Sequence, residues 1–218
     1  LKNRIITSFF LVILLFLIFS YKLVLVYSLI ILSVLSILEF LAMSSRIISK
    51  KIYLLAANFT FIIYVYVFCL FFFYFSNFYH LQKILLIFLF GCIASDIGGF
   101  IFGKLIKGPK LTKISPKKTI AGSIGSIIFT IIITTFFIKY YDNKLSSLIS
   151  LKFHSSIAIY LWLILLSVLC QIGDLLISYL KRKANVKDTG RILPGHGGIL
   201  DRIDGLIIAI PIGLFVFL

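Results

Sequence analysis

Long apolar runs, broken by short clusters of lysine, arginine and glycine, set the pattern of this chain. The runs from Ile5 to Ser20 and from Ile52 to Phe75 approach or exceed the ~20 residues a helix needs to cross a bilayer. Seven such spans are predicted, at about 5–20, 23–43, 52–75, 81–103, 119–138, 156–180 and 203–218. Only a tight turn near Tyr21 and Lys22 separates the first two, and the last is short unless the chain ends near the membrane surface. Lys2 and Arg4 precede the first run as they would in a signal peptide. No small-residue cleavage site follows, and the next run begins at once, so the first is read as a retained span. The predicted fold class is all-α: a polytopic membrane protein of about seven transmembrane helices, in a single domain over residues 1–218.

Composition strengthens this reading. The chain is 61% hydrophobic with a mean hydropathy of +1.15, whereas soluble domains are about half apolar. Its net charge of +15 resembles that of a nucleic-acid-binding protein. The positive residues, however, lie in short loops between spans, where they set topology and meet anionic headgroups or phosphates. No nucleic-acid partner is expected. With the N-terminus inside, the inner side carries Arg46, Lys50, Lys51 and the two basic loops 104–118 and 181–202, while the outer side carries only Lys22, Lys83, Lys139, Lys144 and Lys152. This bias places the C-terminus outside. Cys69, Cys92 and Cys170 are scattered inside apolar runs without metal-ligand spacing and read as small lipid- or helix-facing residues.

Acidic residues are few: Glu39, Asp96, Asp142, Asp174, Asp188, Asp201 and Asp204. Only Asp142 falls outside in this topology. Carboxylates in or near hydrocarbon are costly and tend to face a protein interior or a wet cavity. Asp201 and Asp204 are three apart, so a helix would put both on one face. Together with Asp174, near the inner end of the sixth span, they are candidate oxygen ligands for Mg²⁺ beside a phosphate substrate. The competing reading pairs Asp201 with Arg202 or Lys187 to neutralise a helix end. Asp96, in the small-residue stretch ASDIGG, is a further candidate; the competing reading is that its glycine neighbours mark close helix packing. Glu39 is read as structural, with reaching the site as the alternative.

Two loops carry the remaining candidates. In PGHGGILDRID, residues 194–204, Gly195, Gly197 and Gly198 let backbone N–H groups approach an anion, and a helix starting after Gly198 adds a positive dipole. With Lys187, His196, Asp201 and Arg202 this forms a candidate polyphosphate and metal cradle. In residues 103–122, GKLIKGPKLTKISPKKTIAG, Pro109 and Pro116 prevent one continuous helix. Ser115, Lys117, Lys118 and Thr119 are candidate phosphate ligands there. The alternative is a positive-inside anchor for lipid headgroups.

Residues 178–204, SYLKRKANVKDTGRILPGHGGILDRID, resemble the signature of the phosphatidate cytidylyltransferases (CDP-diacylglycerol synthases). The elements that match are Ser178, Lys181, Arg182, Lys187, Asp188, Pro194, Gly195, His196, Gly197, Gly198, Asp201, Arg202 and Asp204. The start LKNRIIT, the pair Glu39–Phe40, the stretch from Asp96 through SPKKT and the step Gly173–Asp174–Leu175 are also family-like. There are two departures. Ala121 stands where the family usually has a glutamate, and the chain is shorter than typical members, with fewer spans.

The resemblance implies a nucleotidyltransferase of phospholipid biosynthesis. CTP and phosphatidic acid would give CDP-diacylglycerol and pyrophosphate at the cytoplasmic face of a bacterial inner membrane. Asp201, Lys187, His196 and Arg202 would be catalytic. Asp174, Asp201 and Asp204 would hold Mg²⁺ or Mn²⁺, with a second cation as an option. Ser115, Lys117, Lys118, Thr119, Ser178, Lys181, Arg182, Asp188, Gly195, Gly197 and Gly198 would bind substrate. It also implies a homodimer. The alternatives are a CTP-dependent transferase or kinase acting on another membrane lipid, such as a polyprenol, and, from a different class, a transporter. A transporter would bind its substrate near mid-membrane and would not need a phosphate-type loop at one face.

Overall fold

The structure is a computed structural model that describes residues 2–112, 115, 116, 118–140, 149, 152, 153, 155–190, 192 and 197–218, with the side chains of residues 2–8, 11 and 140 left out. Among the described residues it is all-helical: α1 Lys2–Ser20, α2 Lys22–Ile47, α3 Lys51–Asn77, α4 Tyr79–Leu105, α5 Ile120–Tyr140, α6 Ser156–Lys183, α7 Leu200–Ile203 and α8 Leu206–Phe217. Among those residues, five helices (α2 to α6) are long and apolar enough to cross a membrane. The expected seventh span is the 12-residue α8. At about 1.5 Å per residue such a helix is shorter than the bilayer core. Asp204 and Gly205, between α7 and α8, keep right-handed helical dihedrals.

The chain clusters into two compact units. One comprises Leu1–Asn77 with Ile177–Asp204, the other Phe78–Leu176 with Gly205–Leu218. In the first unit α2 packs on α3 through Phe40 stacked on Phe61 at 3.9 Å and Ser44 Oγ donating to Asn58 Oδ1 at 2.7 Å. α6 ends here in a Schellman turn: the Val186 N–H reaches back to the Lys181 carbonyl and the Asn185 N–H to that of Arg182. The turn needs a left-handed residue just past the helix, and Asn185 (φ 54) takes the place glycine usually fills. This turn ends the helix directly after Lys181, Arg182 and Lys183.

In the second unit α4 and α5 approach closely because small residues face each other. A side chain at Gly98 would meet the Gly125 carbonyl oxygen at 2.6 Å. At that separation helix side chains bond to the neighbouring backbone, as membrane interfaces favour. Ser126 Oγ donates to the Ser95 carbonyl at 2.7 Å and Thr130 Oγ1 to that of Gly91 at 3.3 Å. α8 is fixed by the Trp162 indole, which donates to the Gly213 carbonyl at 3.1 Å, with Phe88 edge-on to Trp162. Lys107 and Gly108, both at positive φ, end α4 and start a hairpin-like loop. Lys110 and Thr119 bridge across it, and the Leu111 N–H donates to the Lys118 carbonyl at 2.8 Å.

Candidate active site

Each unit holds one cluster of candidate residues. In the first unit the cluster forms around two carboxylates. Asp201, in the first turn of α7, turns its Oδ1 to Lys181 Nζ at 2.6 Å. Its Oδ2 accepts the backbone N–H of Thr189 at 2.8 Å and that of Gly198 at 3.1 Å, with the Thr189 hydroxyl 3.0 Å away. Burial alone would raise the Asp201 carboxyl. The Lys181 hydrogen bond, the N–H groups of Thr189 and Gly198 and the Lys181 charge outweigh it and hold the carboxyl below the ordinary aspartate range. Glu39, buried on α2, accepts the Thr189 hydroxyl at 2.7 Å, the Ile199 N–H at 2.8 Å and the Leu200 N–H at 2.9 Å.

This geometry changes two sequence readings. The salt-bridge partner of Asp201 is Lys181, twenty positions upstream, rather than Arg202 or Lys187. The N–H of Gly198, expected to help cradle a substrate phosphate, is turned to Asp201, and those of Ile199 and Leu200 are turned to Glu39. Gly197 keeps a structural requirement for glycine, since its φ is 83°. Lys187 and Asp188 are exposed and line a cavity of about 490 Å³ with Arg46, Met43 and Asn185. Arg182 and Arg202 are exposed, while Ser178 and Asp204 are half-buried. Lys117, Gly195 and His196 lie outside the described residues.

In the second unit a cavity of about 280 Å³ is lined by Asp96, Asp174, Lys118, Ser115, Thr119 and Ser123, among others. Lys118 and Asp174 form an ion pair across it. Asp96 therefore lines a cavity, beyond any part its neighbours play in helix packing. Thr119 has a structural task as well: its hydroxyl accepts the Gly122 N–H at 3.1 Å and caps α5.

Among the described residues no three His, Cys, Asp or Glu side chains gather to hold a metal. Magnesium asks for less: one or two carboxylates complemented by substrate phosphates and water. Asp174 and Asp96, lining one cavity, meet that demand once Lys118 yields Asp174. Asp201 can offer Oδ1 alone, because Oδ2 already receives the N–H groups of Thr189 and Gly198.

The model of the cytidylyltransferase family matches residues 6–218, both clusters included. The chain belongs to the cytidylyltransferase family. Within that family it is similar to the phosphatidate cytidylyltransferase of Rickettsia felis, 40% identical over 139 residues that cover 60% of this chain and 58% of that protein. The enzyme of the same name from Rickettsia bellii is 43% identical over 136 residues, covering 60% and 57%. That of Staphylococcus haemolyticus is 43% identical over 119 residues, covering 54% and 42%. The match thus spans less than two thirds of each relative's own length.

Two residues of this chain were given no site role from sequence: Thr189 and Glu39. A glutamate alone in the apolar run of α2 was a signal for Glu39, because a carboxylate in such a run needs compensating donors. Nothing in the local sequence distinguishes Thr189.

Proposed function

We propose that this cytidylyltransferase-family chain transfers the cytidylyl group of CTP to phosphatidate at the cytoplasmic face of a bacterial inner membrane. A phosphate oxygen of phosphatidate forms a bond to the α-phosphorus of CTP, the bond from that phosphorus to the bridging α–β oxygen breaks, and pyrophosphate leaves. The attacking group is already an anion, so the reaction asks for alignment and charge neutralisation more than for a base. The observation that carries this reading is chemical. In a strongly apolar chain, aspartates are held beside lysines: Asp174 with Lys118 at the cavity of the second unit, and Asp201 with Lys181 in the first unit. Such sets suit a site that exchanges internal ion pairs for phosphates.

In this reading Asp174 and Asp96 would hold a divalent cation, Mg²⁺ or Mn²⁺. When bound, the cation offsets phosphate charge and orients the phosphates. Released from Asp174, Lys118 is free to meet a phosphate, with Ser115 and Thr119 beside it. Lys187, exposed at its own cavity, and the exposed Arg182 and Arg202 neutralise the triphosphate and the departing pyrophosphate. Asp201 ties Thr189 and Gly198 beside Lys181.

The purified protein in detergent is to be supplied with CTP, Mg²⁺ and phosphatidate, and pyrophosphate measured. Release that depends on both CTP and phosphatidate, with CDP-diacylglycerol as the lipid product, is expected. Release with a polyprenol acceptor but not with phosphatidate would move the activity to another lipid, and no release with either would remove the transferase reading.

A further inference from the structure

We infer that Glu39 is a positioning residue for Asp201, acting through Thr189 and through the backbone that enters α7; the inference rests on the activity proposed above. Glu39 is 4% exposed. Among the described residues its hydrogen-bond partners are a hydroxyl and two backbone N–H groups, all within 189–200. A carboxylate shut away from water is held only where donors replace its hydration, and here all three donors come from the segment that also grips Asp201.

Thr189 is the joint between the two acids. Its backbone N–H donates to Asp201 Oδ2 at 2.8 Å, and its hydroxyl reaches Glu39 Oε2 at 2.7 Å and Asp201 Oδ2 at 3.0 Å. A hydroxyl carries one proton and donates to one acceptor at a time. With the hydroxyl proton on the nearer acceptor, Glu39, Asp201 is still tied by the N–H of the same residue. Any shift of Glu39 therefore moves Thr189, and with it one of the donors that aims Asp201.

The loop is shaped around this carboxylate. A Cβ at Gly198 would fall 2.5 and 2.6 Å from the two Glu39 carboxylate oxygens, and one at Gly190 would also strike Glu39. Gly198 thus makes room for an internal anion. Glu39 itself lines neither of the two cavities described above. Its effect on turnover is accordingly indirect.

The test combines turnover with amide hydrogen exchange. Glu39→Gln keeps the shape of the side chain but turns an NH₂ group toward N–H donors. Thr189→Val keeps shape and loses the hydroxyl, whereas Thr189→Ser keeps the hydroxyl. Glu39→Gln is expected to lower kcat about tenfold or more, with KM for CTP and phosphatidate within about twofold of the unaltered enzyme. Exchange should quicken at Thr189, Ile199 and Leu200 and not in α4 or α5. Thr189→Val should repeat this pattern, Thr189→Ser should stay near the unaltered enzyme, and the Glu39→Gln/Thr189→Val pair should lose less than the sum of its parts. Unchanged exchange in the loop, or a kcat within about twofold for both Glu39→Gln and Thr189→Val, would overturn the inference. An unaltered protein inactive on CTP and phosphatidate would instead defeat the proposed function, and the exchange measurement would still decide whether Glu39 orders the loop.

Discussion

Lys181 and Asp201 meet at 2.6 Å, and the aspartate side chain is only 6% exposed. From sequence alone Asp201→Asn looks like a mild change at a wet helix start. The structure gives a different expectation, because the amide would leave the Lys181 ammonium without its counter-charge and weaken the acceptor of the Thr189 and Gly198 N–H groups. Breaking a buried pair costs about 3–5 kcal/mol; with Lys181 18% exposed, the lower end of that range applies. Asp201→Asn should therefore lose both thermal stability and, by orders of magnitude, turnover. Adding Lys181→Met removes the stranded charge and should recover much of the melting temperature but none of the activity. A stable Asp201→Asn enzyme with turnover within a few fold would end the assignment of Asp201 to the site.

The second cavity supports a prediction on the cation. Asp96 and Asp174 share its lining, and Lys118 holds Asp174. Chelation with EDTA should abolish pyrophosphate release, and added Mg²⁺ or Mn²⁺ should restore it. Asp96→Asn should raise the Mg²⁺ concentration for half-maximal activity by about tenfold or more, the scale on which altered metal surroundings act. Full activity in excess EDTA would eliminate the cation. An unchanged Mg²⁺ titration in Asp96→Asn would take Asp96 out of its binding.

Helix positions were legible in the chain because each apolar run must bury or lipidate its whole length. The expected spans 52–75, 81–103 and 156–180 lie inside α3 (Lys51–Asn77), α4 (Tyr79–Leu105) and α6 (Ser156–Lys183). The last span was less legible. Its apolar content extends to residue 218, yet α8 is Leu206–Phe217, too short for a bilayer core. Within the two clusters, sequence singled out Asp96, Asp174, Lys181 and Asp201 as chemistry-bearing groups, but not the partner that each ion pair would bring together. Lys181 and Asp201 are 20 residues apart, and Glu39 and Thr189 are 150 apart. No local periodicity links such pairs. The glycines were the most ambiguous: a gap that admits a phosphate and a gap that admits a glutamate look alike in sequence.

The lysine and arginine bias predicts topology. With Cys69, Cys92 and Cys170 replaced by alanine, single cysteines at the exposed positions Lys104 and Lys183 should react with an impermeant thiol reagent in inside-out vesicles. In sealed right-side-out vesicles they should be silent until the membrane is opened. Reaction at both positions in intact right-side-out vesicles would invert the topology and put CTP on the wrong side.

Packing of α4 on α5 gives the last prediction. A methyl at Gly98 would lie 2.6 Å from the Gly125 carbonyl oxygen and 2.5 Å from the Phe129 Cβ. A backbone carbonyl cannot swing aside, so the two helices must part. Parting lengthens the bonds from Ser126 to the Ser95 carbonyl and from Thr130 to the Gly91 carbonyl. Overpacking of this kind costs about 1–3 kcal/mol. In a chain of this size it should lower the melting temperature by about 2–4 °C per kcal/mol. Gly103→Ala is the matched control on the same helix. Its methyl would meet the Thr119 hydroxyl at 3.2 Å, with the Gly122 Cα next at 3.6 Å. A shift of a few tenths of an ångström relieves that contact, and replacing a helical glycine by alanine returns up to about 1 kcal/mol. Melting followed in one detergent should therefore put Gly98→Ala clearly below the unaltered protein and Gly103→Ala close to it. Equal melting temperatures for the two variants would mean that α4 and α5 do not touch backbone to backbone at Gly98.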